Sequence, residues 1–307
     1  MAWIMDRLAA FRTFLRVLDT GSFSEAAREA NTGQPTVSKQ VAALEHHLGV
    51  QLIARSTRAL VPTEEGRRFA EAARAAVEAA EAAEAAARGE AGVTGLLRLG
   101  CPVAFAQAQI VPRLPAFLAR HGQVSVDLVM SDAFLDPVEQ GVDVVVRIGA
   151  LADSALVARR IGTTQRVTVA SPGYLARRPP PEAPIDLAGH DCVLYARLAT
   201  GDAWPYRAHD GTEASVRVSG RLRADSSAAI RGAVLAGAGI ALAPLWLVGE
   251  DLAAGRLVRL LADWEPTALP IHAVSAPRRF TPPKATAIVA YLAEAFREDP
   301  FVSARGD

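Results

Sequence analysis

Cysteine is scarce in this sequence of 307 residues, in which only Cys101 and Cys192 occur. Two cysteines cannot build a disulfide framework, and such sparse use is typical of proteins of the reducing cytosol. Long apolar runs are also missing, because glycine and proline interrupt the longest stretch, residues 232–248, which is short for a membrane span. Asp6 and Arg7 interrupt the start of the chain, so no secretory signal is predicted. These absences predict a cytoplasmic protein without a membrane partner.

A net charge is lacking as well, since 33 basic side chains balance 33 acidic ones. Residues 1–62 carry seven Lys or Arg against five Asp or Glu, and residues 63–92 carry four against seven. The first segment is thus only mildly basic. We therefore predict modest non-specific electrostatic binding of nucleic acid by one subunit, and twice that contribution in a dimer. Lysine occurs only at Lys39 and Lys284, which makes position 39 notable.

The patterns of catalytic and metal centres are absent too. The six histidines have no metal-ligand spacing, and residues 237–239 join a predicted helix to a strand rather than forming a phosphate-binding loop. Cys101 lies where a predicted strand meets a helix, a position that can lower a thiol pKa, but no histidine motif accompanies it. We expect no catalytic residue, no metal and no cofactor. An enzyme that uses an α/β cleft and a plain dimerising scaffold remain the competing interpretations.

Residues 21–66 have the pattern of a winged helix-turn-helix. A first short helix is predicted over residues 24–30, capped by the Ser24 hydroxyl, and turn-forming residues follow. Proline at position 35 suits the start of a second helix, along which apolar residues recur at helical spacing. Four polar residues near its start fall off this apolar stripe: Gln34, Thr36, Ser38 and Lys39. Such side chains at the positive end of a helix suit base edges and phosphates.

Two short strands, residues 52–55 and 59–62, are predicted after this second helix. The turn between them carries Arg55 and Arg58, so the pair has the pattern of a wing with basic tips. A helix-turn-helix pattern alone also occurs in ordinary helical hairpins with solvated polar faces. The adjoining wing favours DNA binding.

These segments resemble the LysR-type transcriptional regulators. The resemblance covers essentially the whole chain and rests on GSFSEAA, QPTVSKQVAALEHHLGVQL, ARSTRALVPTEEG, DVVVRIG and VRVSGRLRADSSAAIRGAVLAGAGIALAP. It implies a homodimer or homotetramer that binds double-stranded DNA and responds to a small-molecule effector. The predicted DNA contacts are Ser22, Gln34, Pro35, Thr36, Ser38, Lys39, Arg55 and Arg58. The turn departs from the family at Ala30, Thr32 and Gly33, which removes a cap hydroxyl.

Residues 63–92 predict a long alanine-rich linker helix, which starts at a Thr63 cap and ends near Arg88. At about 1.5 Å per residue it spans roughly 40 Å. Because a helix of alanine and charge has little to bury against its own chain, we predict that it pairs with its copy in a second subunit, with Val77 on the seam. A solvated spacer is the alternative. The predicted domains are residues 1–62, 63–92 and 93–307.

From residue 93 onward, strands and helices alternate, which predicts an α/β fold with a mostly parallel sheet. The predicted helices include residues 104–120, 134–140 and 226–236, and residues 264–266 are predicted to form a loop. The resemblance implies a two-lobed, periplasmic-binding-protein-like effector domain. Lobe I then comprises residues 93–163 and 269–300, and lobe II residues 164–268.

Ligands of such lobes bind beyond the carboxyl ends of the strands. The strand ends predict an effector site that comprises Cys101, Pro102, Val103, Phe105, Ser131, Asp132, Arg147, Ile148, Gly149, Leu198, Asp225, Ser226 and Pro244. Many of these side chains are apolar, so we predict a largely apolar cleft with Phe105 on its wall. Two structural alternatives stay open: Asp225 as the cap of the following helix, and Arg147 as the ion-pair partner of Asp132 or Asp143.

Overall fold

The computed structural model describes residues 6–55, 60–87, 93–151, 155–277 and 281–302. The chain divides into one unit of residues 1–92 and a second of residues 93–307. Each unit has its own hydrophobic core.

The described residues of the first unit form four helices and one hairpin. In chain order they are α1 (Arg7–Thr20), α2 (Phe23–Glu29), α3 (Gln34–Leu48), β1 (Ile53–Arg55), β2 (Leu60–Pro62) and α4 (Glu64–Ala87). Local sequence sets several of these bounds. The Asp6 carboxylate caps α1 by accepting a hydrogen bond from the Ala9 N–H at 3.0 Å. Gly21 and Gly49 end α1 and α3 in the left-handed conformation that glycine adopts without strain.

The first half of α4 packs against α1 in the core of the same unit. Ala73 and Val77 are buried there with Phe14, and the Arg74 guanidinium donates to the Asp19 carboxylate of α1 at 2.7 Å. Small alanine side chains let the two helices approach closely. The prediction that α4 buries little against its own chain, with Val77 on an intersubunit seam, is therefore wrong for this half of the helix.

The second unit alternates strands and helices. In chain order they are β3 (Thr94–Cys101), α5 (Val103–Phe105), α6 (Leu114–Arg120), β4 (Gln123–Met130), β5 (Val144–Ile148), β6 (Val157–Thr164), β7 (Arg166–Ala170), α7 (Pro172–Leu175), β8 (Val193–Tyr195), β9 (Ala203–Ala208), β10 (Glu213–Arg217), β11 (Leu222–Ala224), α8 (Ser227–Leu235), β12 (Ala241–Pro244), α9 (Leu245–Ala253), β13 (Val258–Leu260), β14 (Trp264–Pro266), β15 (Leu269–Ser275) and α10 (Pro283–Arg297). Between α5 and α6 the helical path continues as a π-turn (Ala106–Ile110) and a 3₁₀ turn (Val111–Arg113).

The two lobes of this unit are built on separate sheets. The lobe I sheet has the order β4-β3-β5-β15-β6, in which β4, β3 and β5 are parallel while β15 is antiparallel to both of its neighbours. In lobe II, β12-β7-β13 is antiparallel and β11-β8 is parallel. The predicted α/β fold is confirmed, but the mostly parallel sheet is wrong. Half of the lobe I sheet is antiparallel because the chain returns from lobe II through β15.

Two segments differ from their predicted structure for identifiable reasons. Residues 134–140 form turns rather than a helix, because the Asp136 carboxylate accepts from the Val138 N–H at 2.7 Å and offers the backbone a local alternative to helix. Residues 264–266 form strand β14 rather than a loop, since Pro266 lies opposite Tyr206 of β9. Both outcomes depend on contacts that a periodic pattern does not contain.

The chain passes between the lobes at Gln165 and again at residues 267–268. The two passages are bonded to one another, because the Arg166 Nε donates to the Thr267 carbonyl at 2.6 Å. The Leu245 N–H at the start of α9 donates to the Gln165 carbonyl at 2.8 Å. Burial lowers the pKa of Arg166 to about 10, so its guanidinium remains charged at neutral pH. This backbone junction fixes where the two lobes meet.

Candidate DNA-binding and effector sites

Helix α3 presents a polar side to solvent at its amino-terminal end. Val37, Val41 and Leu44 are buried in the core of the unit, while Gln34, Pro35, Thr36 and Lys39 are exposed and Ser38 is half-buried. Proline occupies the first turn and Gly33 caps the helix without a side-chain hydrogen bond, as expected from the missing hydroxyl in the turn. The structure thus brings five of the predicted DNA contacts together on one helix end.

Ser22 caps the preceding helix. Its Oγ accepts a hydrogen bond from the Glu25 N–H at 3.3 Å, so α2 begins at Phe23. The predicted cap, Ser24, is wrong by two residues because Ser22, and not Ser24, has the extended backbone that a cap requires. The predicted DNA contact at Ser22 therefore lies at a helix N-terminus, where backbone N–H groups favour phosphate.

Glu45, which was not among the predicted functional residues, connects the wing to α3 by hydrogen bonds. The Glu45 carboxylate, late in α3, accepts hydrogen bonds from the N–H groups of Leu52 at 2.8 Å and Ile53 at 3.1 Å. Arg55 is the last residue of β1 and lies opposite Leu60 of β2. Arg58, predicted at the tip of the wing, lies outside the described residues.

The start of α4 closes on the other side of the wing. Thr63 Oγ1 donates to the Gln51 carbonyl at 2.7 Å and accepts from the Gly66 N–H at 2.9 Å, which fulfils its predicted capping role. Gly66 lies so close to the chain that a Cβ on it would be 2.0 Å from the Leu52 carbonyl oxygen. One short backbone segment thereby joins α3, the wing and α4.

The lobe I side of the predicted cleft starts where β3 and β4 end. Pro102 and Val103 are half-buried, and the Val103 N–H, the first of α5, donates to Asp132 Oδ1 at 3.0 Å. The neighbouring Ser131 hydroxyl accepts from the Ala133 N–H at 3.0 Å. These four predicted site residues therefore form one connected wall.

The lobe II side is formed by the ends of β8 and β11 and the start of α8. Tyr195 is hydrogen-bonded to Ser227, and burial, followed by the Asp132 and Asp225 carboxylates, raises the pKa of the Tyr195 hydroxyl. Asp225 is exposed and pairs with Arg197 at 3.1 Å, whereas Ser226 occupies the cap position of α8 without a side-chain hydrogen bond. The interpretation of Asp225 as the helix cap is wrong. Tyr195 and Ser227 lie on this side together with Asp225 and Ser226, although the predicted set omits both.

Two predicted members do not line the cleft. Phe105 and Cys101 are fully buried in the lobe I core, where the Phe105 ring lies 5.1 Å from Trp246 and 5.9 Å from Phe296 between centroids. Burial, and then the Asp132 charge, raises the pKa of the Cys101 thiol well above its ordinary value. The prediction of Phe105 on the wall is therefore wrong, and the position of Cys101 between strand and helix does not lower the pKa of its thiol.

Arg147 has neither of its predicted partners. Its guanidinium lies 3.6 Å from the centroid of the exposed Phe134 ring and donates to the Leu135 carbonyl. Asp143 instead lies 3.5 Å from Lys284 and accepts from the Arg98 N–H, while Asp132 faces Val103. Both ion-pair interpretations of Arg147 are wrong, and the residue belongs to the rim formed by the loop after β4.

The other residues of the predicted effector site lie partly in the hydrophobic cores of the lobes and partly at their edges. Ile148 packs partly into the lobe I core and Leu198 into a lobe II core. Gly149 adopts a φ of 110°, which favours glycine, and Pro244 precedes α9 at its cap position. Among the described residues, no group of three or more His, Cys, Asp or Glu side chains is arranged to hold a metal ion. No helix among them is long and apolar enough to cross a membrane.

Known proteins share both units. Residues 8–67 match the family described as bacterial regulatory helix-turn-helix protein, lysR family, and residues 90–297 match the LysR substrate binding domain. The transcriptional regulator PtxR of Pseudomonas aeruginosa is 34% identical over 96% of this chain and 94% of its own length. The structures of CrgA from Neisseria meningitidis and of the Vibrio cholerae virulence activator AphB are 29% and 27% identical, with TM-scores of 0.59 and 0.57, and each comparison covers 94% of this chain and 98% of the other.

The two family matches follow the same order as the two structural units, and the family match of the second unit alone spans most of the chain. The exposed end of α3 and the two-lobed α/β unit fit the DNA-binding and effector-binding roles that these matches carry. The resemblance found in the sequence is confirmed. This chain belongs to the LysR family of bacterial regulatory helix-turn-helix proteins, as an oligomeric transcriptional regulator that binds DNA and a small-molecule effector.

Proposed function

We propose that this regulator works in the cytoplasm, where α3 and the wing read operator DNA and a small molecule held between the two lobes alters that reading. The observation that carries the proposal is the division of α3 into a buried apolar side and an exposed polar end. The core of the unit uses only the apolar side, and the polar end faces solvent. Polar side chains at a helix N-terminus match the base edges and phosphates of a major groove.

The predicted contacts have different roles. Ser38 is short and half-buried, so it approaches base edges only where α3 lies deep in the groove. Lys39 is exposed and has a long stem with one compact charge, which suits phosphate. Arg55, with Arg58, is assigned to the minor groove or backbone beside the helix. Base contacts supply discrimination, whereas phosphate contacts supply affinity for any sequence.

Replacing Ser38 with alanine is expected to reduce the preference for operator over random DNA by about 1 kcal/mol or more, because a base contact is lost while phosphate contacts remain. The measurement is Kd on operator and on a scrambled duplex of equal length. Ser24→Ala, an exposed serine on α2, is the control and should keep the wild-type ratio. An equal loss on both duplexes would assign Ser38 to the phosphates instead.

The dimer contact is assigned to the side of α4 that faces away from α1. Exposed alanines recur there at helical spacing: Ala72, Ala75, Ala79 and Ala83. Small side chains permit two helices to approach closely, which supports a homodimer on which a homotetramer can be built. In this arrangement, closure of the two lobes around an effector changes the dimer geometry and hence the spacing of the two α3 helices.

An enzymatic function of the α/β cleft is not favoured. The similar regulators PtxR and AaeR are matched along nearly their whole length. The thiol of Cys101, the candidate nucleophile, is buried and has a raised pKa, so it is protonated and shielded at neutral pH. We therefore propose that the cleft binds its ligand without converting it.

A gel-shift experiment with DNA from upstream of the chain's own gene separates these functions. A regulator is expected to form a retarded complex that survives an excess of scrambled competitor. An enzyme with an accessory amino-terminal unit, or a dimerising scaffold, would form no sequence-specific complex. The absence of a sequence-specific complex would contradict the proposed regulatory function.

A further inference from the structure

A carboxylate of the chain itself occupies the start of the helical run in lobe I. Asp132 Oδ1 accepts from the Val103 N–H at 3.0 Å, and Pro102 at the cap position supplies no side-chain hydrogen bond. A ligand carboxylate at this wall would need the same N–H group and would meet a like charge. The Val103 N–H is thus already bonded to an acceptor from the chain itself.

The negative charge of Asp132 is not matched by a neighbouring cation. Among the ion pairs of the described residues, none includes Asp132. Two arginines of the described residues at this end of the lobes are engaged elsewhere: Arg197 pairs with Asp225 at 3.1 Å, and Arg147 stacks on Phe134. Among the described residues, the Asp132 carboxylate therefore has a backbone hydrogen bond from the Val103 N–H but no ion pair.

The Asp132 carboxylate is half-buried beside Val103. Burial first, and the Asp132 charge to a smaller extent, raise the pKa of the lobe II Tyr195 hydroxyl, which is hydrogen-bonded to Ser227 at the start of α8. The half-buried Pro102 and Val103 lie beside Asp132 and provide an apolar surface. A small molecule between the lobes would touch apolar side chains and one carboxylate on the lobe I side.

We infer that Asp132 determines the class of effector: it excludes a carboxylate from the lobe I wall and selects a ligand that presents an amine there, on an apolar or aromatic body. This inference rests on the proposed effector cleft. A like charge in contact is disfavoured and an opposite charge favoured, and the difference for one charge at a partly shielded site is on the order of tenfold or more in Kd.

The test uses the full chain and two probes with the same ring and opposite charges, benzylamine and benzoate, with binding measured by calorimetry at neutral pH. Asp132→Asn removes the charge but keeps an oxygen that can accept from the Val103 N–H. The matched control is Asp127→Asn, since Asp127 lies on β4 in the same lobe but pairs with Arg98 at 3.1 Å. Val103→Trp keeps the N–H group and fills the space beside Asp132.

Wild-type protein and Asp127→Asn are expected to bind benzylamine about tenfold more tightly than benzoate. Asp132→Asn should bring the two probes to within about threefold, mainly through tighter binding of benzoate. Equal or tighter binding of benzoate by the wild type, an unchanged ratio in Asp132→Asn, or no binding of millimolar benzylamine would overturn the inference. Benzylamine binding that Val103→Trp leaves unchanged would instead contradict the location of the cleft itself.

Discussion

Aspartate in place of Phe105 is expected to unfold the effector unit rather than to change a ligand site. Phe105 is fully buried and packs edge-on against Trp246 in the lobe I core. Loss of a buried phenylalanine costs about 3–5 kcal/mol, and an unpaired buried carboxylate adds to that cost. The sum approaches the total stability of a typical domain, about 5–15 kcal/mol.

Denaturant unfolding followed by circular dichroism measures this effect. The control is Phe134→Asp, the same replacement at a side chain that is 69% exposed, where a change below about 1 kcal/mol is expected. If Phe105→Asp kept wild-type stability and lost only its effector response, Phe105 would line the cleft after all.

Alanine in place of Gly66 is expected to have a comparable effect on the DNA-binding unit. The added Cβ would lie 2.0 Å from the Leu52 carbonyl oxygen, a backbone atom that also accepts from the Thr63 N–H at 3.0 Å. The backbone must shift to relieve the clash, which separates α4 from the wing. We expect a loss of about 3 kcal/mol or more.

Hydrogen exchange of residues 6–87 reports this loss, and binding to operator DNA should weaken with it. Gly33→Ala is the matched control, because its Cβ would meet Pro35 Cδ at 3.5 Å and Thr36 Oγ1 at 4.0 Å, both ordinary contact distances. Its cost should stay below about 1 kcal/mol. Equal protection in Gly66→Ala and wild type would mean that α4 does not close against the wing as described.

The DNA-binding end was largely predictable from the sequence because its determinants are local. The apolar stripe of Val37, Val41 and Leu44 has helical spacing, and the structure buries all three. Gly49 ends α3 as a glycine cap does. The hydrogen bond that the Leu52 N–H donates to the Glu45 carboxylate joins a helix to a loop seven residues away, and no periodicity reveals such a bond.

The effector cleft was predictable only as a region. The end of a strand predicts that the next residues lie near the cleft. Where a helix follows, successive side chains rotate by about 100° per residue, and this rotation decides which of them face the cleft. Val103 and Phe105 are two residues apart, so one is half-buried at the wall while the other enters the core. The partners of Arg147 were missed for a similar reason, since the position of Phe134 depends on the turns around Asp136.

The salt dependence of DNA binding by Lys39→Ala tests most directly whether the exposed end of α3 holds DNA. A phosphate contact strengthens binding to any sequence and releases a counterion. The measurement is Kd for wild type and Lys39→Ala on operator and scrambled duplexes at several salt concentrations.

We expect Lys39→Ala to weaken binding to both duplexes alike and to make the slope of log K against log salt shallower by about one. An intact slope with a lost sequence preference would make Lys39 the base reader and reverse its role with Ser38. Unchanged affinity for both duplexes, with an unchanged slope, would contradict the claim that this end of α3 meets DNA.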